Sequence, residues 1–99
     1  MRAKRVDGNQ AALRDAWRAL GGSWLSIYPE SGGEPDALVG WQGMDQLVEV
    51  KLPLGKRGGS SHSRLRQKQV DWHAAWKGRP VATVRTISDL VLLFGMTGG

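Results

Sequence analysis

The chain has 99 residues, 14 Lys and Arg against 9 Asp and Glu, a formal net charge of +5 and an isoelectric point of about 10.3. That length supports a single domain, 1–99, with one modest core, and the basic balance points to a polyanionic partner. The absence of cysteine excludes disulfides, thiolate metal sites and cysteine nucleophiles, and a reducing cytoplasm is the expected compartment. No apolar run approaches the ~20 residues a membrane span needs, and no secretory signal pattern opens the sequence, so no membrane partner is expected.

In chain order, Asp7 can cap a helix that runs to Leu20 and stops at Gly21-Gly22. Its stripe is Val6, Gln10, Leu13, Trp17 and Leu20, at helical spacing, with Gln10 the polar member. Ser23–Tyr28 reads as a strand, and Pro29–Pro35 as a Gly-containing loop. Residues 36–52 read as a β-hairpin: ALVGW, a two-residue turn at Gln42-Gly43, then QLVEVKL. A loop follows to Ser63, which caps a second helix ending near Lys77-Gly78. Val81–Arg85 is a strand, and Ser88–Phe94 a short helix closed by Gly95. The order is α-β-β-β-α-β-α, an α/β chain. A helix between the third and fourth strands permits a crossover, so the sheet is expected to be a mixed four-stranded one flanked by helices.

The hairpin carries the chemistry. A two-residue turn that pairs Trp41 with Met44 also sets Asp36 directly opposite Glu49, about 5 Å apart at Cβ. Two carboxylates that close repel unless a cation lies between them or one is protonated. Lys51 shares a face with Glu49, because strand side chains alternate. Alone, Asp36 is the Asp of a Pro-Asp turn, and Glu49 with Lys51 is the solvated face of an edge strand. The apolar flanks of QLVEVKL instead indicate a central strand. Two acids and an amine converging at a sheet end suit a divalent metal and a phosphate.

The second helix adds Gln69, which shares a face with Leu65, Trp72 and Trp76 and interrupts an apolar stripe expected to pack on the sheet. A buried amide needs partners. Gln67, the competing amide, lies roughly 200° around the helix at ~100° per residue. His62 and His73 lack metal-ligand spacing; His62 reads as a loop residue near phosphate, and His73 as a helix-surface or interface residue. Neither GxGxxG nor a Walker loop occurs, so nucleotide-driven chemistry is unsupported. The five tryptophans are expected mainly in the core, with Trp41 partly exposed at the hairpin tip.

The residues Pro35-Asp36 and Glu49-Val50-Lys51 resemble the core signature of the PD-(D/E)XK nucleases. GGEPDALVGW, LVEVK, LRQKQVDWHAAWKG and PVATVRTISDL together resemble the VRR-type nuclease domains of phage and bacteria, relatives of Holliday-junction resolvases, from about Val6 to Leu90. The resemblance implies a restriction-endonuclease-like core and a metal-dependent endonuclease that hydrolyses DNA phosphodiester bonds, selective for branched or junction DNA, in a bacterial or phage-infected cell. It places Gln69 in the site, and Gln10 where the family usually has a metal-assisting Glu. Asp36, Glu49 and the Val50 carbonyl would hold Mg²⁺ or Mn²⁺, ions suited to hard oxygen ligands. Lys51 would act as base or charge stabiliser. Lys56, Arg57, His62, Arg64, Arg66 and Lys68 would grip backbone phosphates, positioning DNA without reading sequence. Two symmetric junction cuts imply a homodimer, built on the apolar segment SDLVLLFGM or the first helix. The alternative is a non-catalytic DNA-binding module of the same fold in a repair or packaging assembly. A third reading is a small interaction protein whose tryptophans form a partner surface.

Overall fold

The computed structural model describes residues 8–52 and 63–95. Its elements are α1 (Gly8–Ala19), β1 (Ser23–Ser26), β2 (Ala37–Trp41), β3 (Met44–Val50), α2 (Ser63–Ala75), β4 (Ala82–Val84) and α3 (Ile87–Leu93). The order is the expected one, and the sheet is mixed: strands lie β1-β2-β3-β4, antiparallel except for the parallel β3–β4 pair. β3 is therefore paired on both edges.

The hairpin register follows from its turn. Gln42 (φ 47°) and Gly43 (φ 83°) both take positive φ, the backbone of a two-residue type I′ turn whose twist matches the flanking strands. Trp41 pairs with Met44, and the rungs run to Ala37 opposite Val48. Side-chain alternation then sorts the sheet into two faces. One carries Trp24, Ala37, Val39, Val48, Val50 and Val84, all buried, and closes on Leu13 and Trp17 of α1 and Leu90 of α3 as a single core. Trp17 has no exposed surface, stacks on Phe94 with ring centroids 5.4 Å apart, and donates its Nε1–H to the Ser23 carbonyl at 3.1 Å. Emptying a fully buried tryptophan site costs about 3–5 kcal/mol, so α1 is held chiefly by this ring. The opposite face carries Leu25, Leu38, Leu47 and Glu49, and it is the face α2 approaches.

Element ends are set by identifiable chemistry. α1 stops in a Schellman turn: the Gly22 N–H reaches the Trp17 carbonyl, the Gly21 N–H reaches that of Arg18, each at 3.0 Å, and Gly21 has φ +102°. Leu20, read from the sequence as the last member of the buried stripe, sits in this turn and is 47 % exposed. Asp7 and Val6 lie outside the described residues. α3 begins one residue early, at Ile87, because Thr86 and Asp89 form a capping box. The strands expected over 23–28 and 81–85 are shorter, Ser23–Ser26 and Ala82–Val84. α2 ends at Ala75 and has Ser63 as its first residue.

The largest departure concerns α2. Its Gln69 face was expected to bury against the sheet, yet no described side chain of α2 is buried. Gln69, Trp72 and His73 are half buried, and Trp76, just beyond the helix, is 44 % exposed. Of the five tryptophans only Trp17 and Trp24 are buried, with Trp41 half buried at the hairpin tip. Among the described residues no helix is long and apolar enough to cross a membrane.

The loop before β2 is organised by Glu34. Its carboxylate accepts the N–H groups of Glu30 (3.0 Å), Ser31 (3.1 Å) and Gly32 (3.1 Å) and the Ser31 hydroxyl (3.0 Å). Partial desolvation opposes the charged form, but N–H donation from Glu34 itself, Glu30 and Ser31 outweighs it, and the carboxyl is held at about 2 against an ordinary 4.5. A depressed carboxyl pKa adds stability that is present above the unfolded value and lost as pH falls through the folded one. Glu34→Gln is therefore expected to lower the melting temperature at neutral pH. Circular-dichroism melts of the two proteins should converge as pH falls from 4.5 to about 2.

Candidate active site

The site is built where β3 loses its partners. On the β4 side the ladder continues, with the Lys51 N–H reaching the Val84 carbonyl at 2.9 Å. On the β2 side the last rung is Ala37 opposite Val48. Asp36 stands just before β2, and its N–H bonds the Val48 carbonyl at 3.0 Å. The direct opposition of Asp36 and Glu49 across a rung, expected from the turn, is therefore not formed. The Asp36 carboxylate instead accepts the Val50 N–H through Oδ2 at 2.7 Å, taking the place of a strand carbonyl. In an extended residue N–H and C=O leave on the same side, so the Val50 carbonyl also faces the Asp36 side, past the end of β2.

Glu49 lies on the α2 side of the sheet and is 5 % exposed. A buried carboxylate is costly unless paired or hydrogen-bonded. Three side chains converge on it. Gln69 donates from Nε2 to Oε2 at 3.3 Å, the Lys51 ammonium lies 4.0 Å from the same oxygen, and His73 Nε2 lies 3.9 Å from Oε1. Gln69, not Gln67, is thus the amide at the site; Gln67 donates to Asp71 at 2.8 Å on the outer face of α2. Lys51 keeps nearly half of its side chain exposed, so its ammonium sits where buried Glu49 meets solvent.

Two neighbours were missed in the sequence. His73, read as a helix-surface or interface residue, faces Glu49. The signal was present in its spacing, because Gln69 and His73 are four apart and so share a helical face. Burial, and then the nearby Lys51 charge, holds His73 below its ordinary 6.5, which favours the neutral ring. Asn9 donates from Nδ2 to the Lys51 carbonyl at 2.7 Å and lies 3.4 Å from the Arg85 carbonyl, tying the first turn of α1 to the end of β3. Its neighbour Gln10 is 3 % exposed; an amide in that turn belongs to the same end of the sheet.

Of the residues expected to contact phosphate, Lys56, Arg57 and His62 lie outside the described residues, as does the side chain of Arg64. Arg66 and Lys68 are exposed on α2. Of the oxygens that the resemblance assigns to a cation, Asp36 Oδ2 accepts the Val50 N–H and Glu49 Oε2 accepts from Gln69. Among the described residues no three His, Cys, Asp or Glu side chains form a metal-holding group. No family model matches the chain, and no curated protein or solved structure matches it either.

The His73 environment is directly measurable, because the chain has only two histidines. In EDTA, NMR titration should show one of them protonating below 6.5. Lys51→Met should move that titration upward by removing a repelling charge, while the burial contribution remains.

Proposed function

We propose that this protein is a metal-dependent endonuclease that hydrolyses DNA phosphodiester bonds, acting on branched or junction DNA. The observation that carries the reading is the buried Glu49 on an internal strand, with Lys51 and Gln69 converging on it and Asp36 fixed beside it at the strand end. Burying a carboxylate and then surrounding it with an ammonium, an amide and an imidazole gives a core little that leucine would not, so the arrangement is better accounted for by chemistry than by stability.

The oxygen donors fit a hard divalent ion such as Mg²⁺ or Mn²⁺, and Asp36, Glu49 and the Val50 carbonyl would hold it, with Gln10 close to the same sheet end. Such an ion supplies charge neutralisation at a phosphate and acidification of a bound water. The chain's own residues do the rest. Gln69 fixes the Glu49 carboxylate by donating to Oε2. Lys51 offers an exposed ammonium beside it, placed to neutralise charge on a phosphate or to orient a water. His73, held neutral, adds a nearby nitrogen without adding charge. The net charge of +5 favours a polyanion, and Arg66 and Lys68 present exposed cations on the helix that carries Gln69.

The alternative, a DNA-binding module of the same fold without cleavage, shares the charge and differs at the acids. Asp36→Asn and Glu49→Gln should lower cleavage by more than the roughly 10–100-fold typical of losing an outer partner of a metal site. DNA affinity should hold or rise. Gel assays on duplex, flap and four-way-junction DNA with Mg²⁺, Mn²⁺ or EDTA check this, and cleavage by Glu49→Gln at the wild-type rate would sink the assignment.

Symmetric cutting of a junction needs two sites, and a two-fold homodimer supplies them. The apolar C-terminal segment is where such an interface would form, and Leu92 of α3 is 69 % exposed there. Light scattering at micromolar concentration is expected to give the dimer mass, with or without junction DNA. A monomer in both conditions would move the substrate toward flaps or plain duplex.

A further inference from the structure

Lys68 and Trp72 on α2 and Trp76 just beyond its end succeed one another at four-residue spacing, and Gln69 and His73 form the adjacent ridge that faces Glu49. The two indoles stack, with centroids 5.0 Å apart and planes 14° from parallel. Trp76 is 44 % exposed, and Val70 of α2 55 %. Beside this stack an open depression of about 550 Å³ is lined by Trp72, Lys68, Asp71, Glu30 and Ser31. The loop that supplies Glu30 and Ser31 packs closely on α2. Gly33 is buried against α2, and a Cβ there would collide with the Lys68 carbonyl and come within 3.0 Å of the Trp72 Cβ. Glu34 fixes the Glu30–Gly32 backbone by its hydrogen bonds.

The lining is chemically mixed in an informative way. An indole wall attracts a flat ring. Two carboxylates, Glu30 and Asp71, repel a phosphate but accept hydrogen bonds from amino groups. One ammonium, Lys68, sits at the side. A phosphate site would not carry two acids, and a plain apolar docking groove would not carry three charges. A nucleobase attached to its phosphate satisfies all of them: the ring against the indole, the exocyclic amino edge on a carboxylate, the phosphate near Lys68. A base within a duplex has both faces covered by its neighbours, so only an unstacked base can lie against the indole.

We propose that the Trp72 depression is a binding site for an unpaired nucleobase of a DNA strand, favouring bases with an exocyclic amino group over thymine. This rests on the nucleic-acid reading above and deepens it: the substrate would present single-stranded or splayed nucleotides next to the Glu49 ridge.

The test is made in EDTA, without cleavage, by fluorescence anisotropy on short single-stranded oligonucleotides. Oligo-dC and oligo-dA are expected to bind wild-type protein more tightly than oligo-dT. Abasic strands should bind about 5- to 100-fold more weakly than oligo-dC, the range of one to a few kcal/mol that base–aromatic stacking spans. Trp72→Ala should match the abasic loss and Trp72→Phe should restore most of it, with circular dichroism confirming that both fold. Asp71→Ala combined with Glu30→Ala, both at exposed positions, should erase the preference for dC over dT, because alanine leaves no side-chain acceptor at either place. Equal affinity for abasic and base-bearing strands, or no single-strand binding at all, would overturn the proposal. Those results would leave cleavage of duplex by wild type intact if the nuclease reading holds. Conversely, base binding without any cleavage would retain this site and discard that reading.

Discussion

The end of β3 is the constraint from which the rest of the site follows. A buried backbone N–H must find an acceptor, and at Val50 the neighbouring strand has none to offer, because the β2–β3 ladder stops at Ala37 and Val48. The Asp36 carboxylate fills that vacancy at 2.7 Å. Asparagine 9 does the corresponding service for the Lys51 carbonyl. Two side chains from distant parts of the sequence thus complete the strand, and both are thereby delivered to one place. Pairing on both edges holds β3 rigid up to the point where Glu49 and Lys51 project, which is the precision the proposed chemistry would require.

This makes Asp36 a residue with two duties. Removing its carboxylate leaves a backbone donor in need of a partner, at a cost of about 1–3 kcal/mol. An amide at that position keeps an oxygen able to accept the same N–H, whereas alanine does not. The charge and the hydrogen bond at Asp36 are separable only through such a conservative change. Glu49 accepts from the Gln69 side chain, so its substitution speaks more directly to the side-chain cluster.

Much of this was legible in the residues. The Gln42-Gly43 turn fixed the hairpin register because strand pairing is periodic and a two-residue loop permits one alignment. The apolar flanks of Glu49 marked an internal strand, and helical spacing separated Gln69 from Gln67. The misses share a cause: each depended on tertiary placement. Spacing put Leu20 on the buried stripe, but the Schellman turn swings it outward. Trp72 and Trp76 read as core because large apolar residues usually are, whereas they stack on each other instead. The one-rung offset of Asp36 arises from a side chain outcompeting a ladder bond, and no periodicity announces that. Nothing in the loop 29–35 singled out Glu34, since its role depends on three N–H groups turned toward one point.

The glycine at 33 has a consequence beyond its own packing. The sheet half of the site, Asp36, Glu49 and Lys51, is locked into a ladder and a core. The helical half, Gln69 and His73, rides on an element with no buried side chain among those described, seated on a loop at a contact that has no room for a methyl group. The two halves therefore belong to regions of unequal firmness, and the interval between them is gauged by a single missing Cβ. A small perturbation at that seam could separate amide and imidazole from carboxylate while the hydrophobic core melts as before. In such a molecule the geometry of the site and thermal stability are nearly independent properties, free to be altered one without the other.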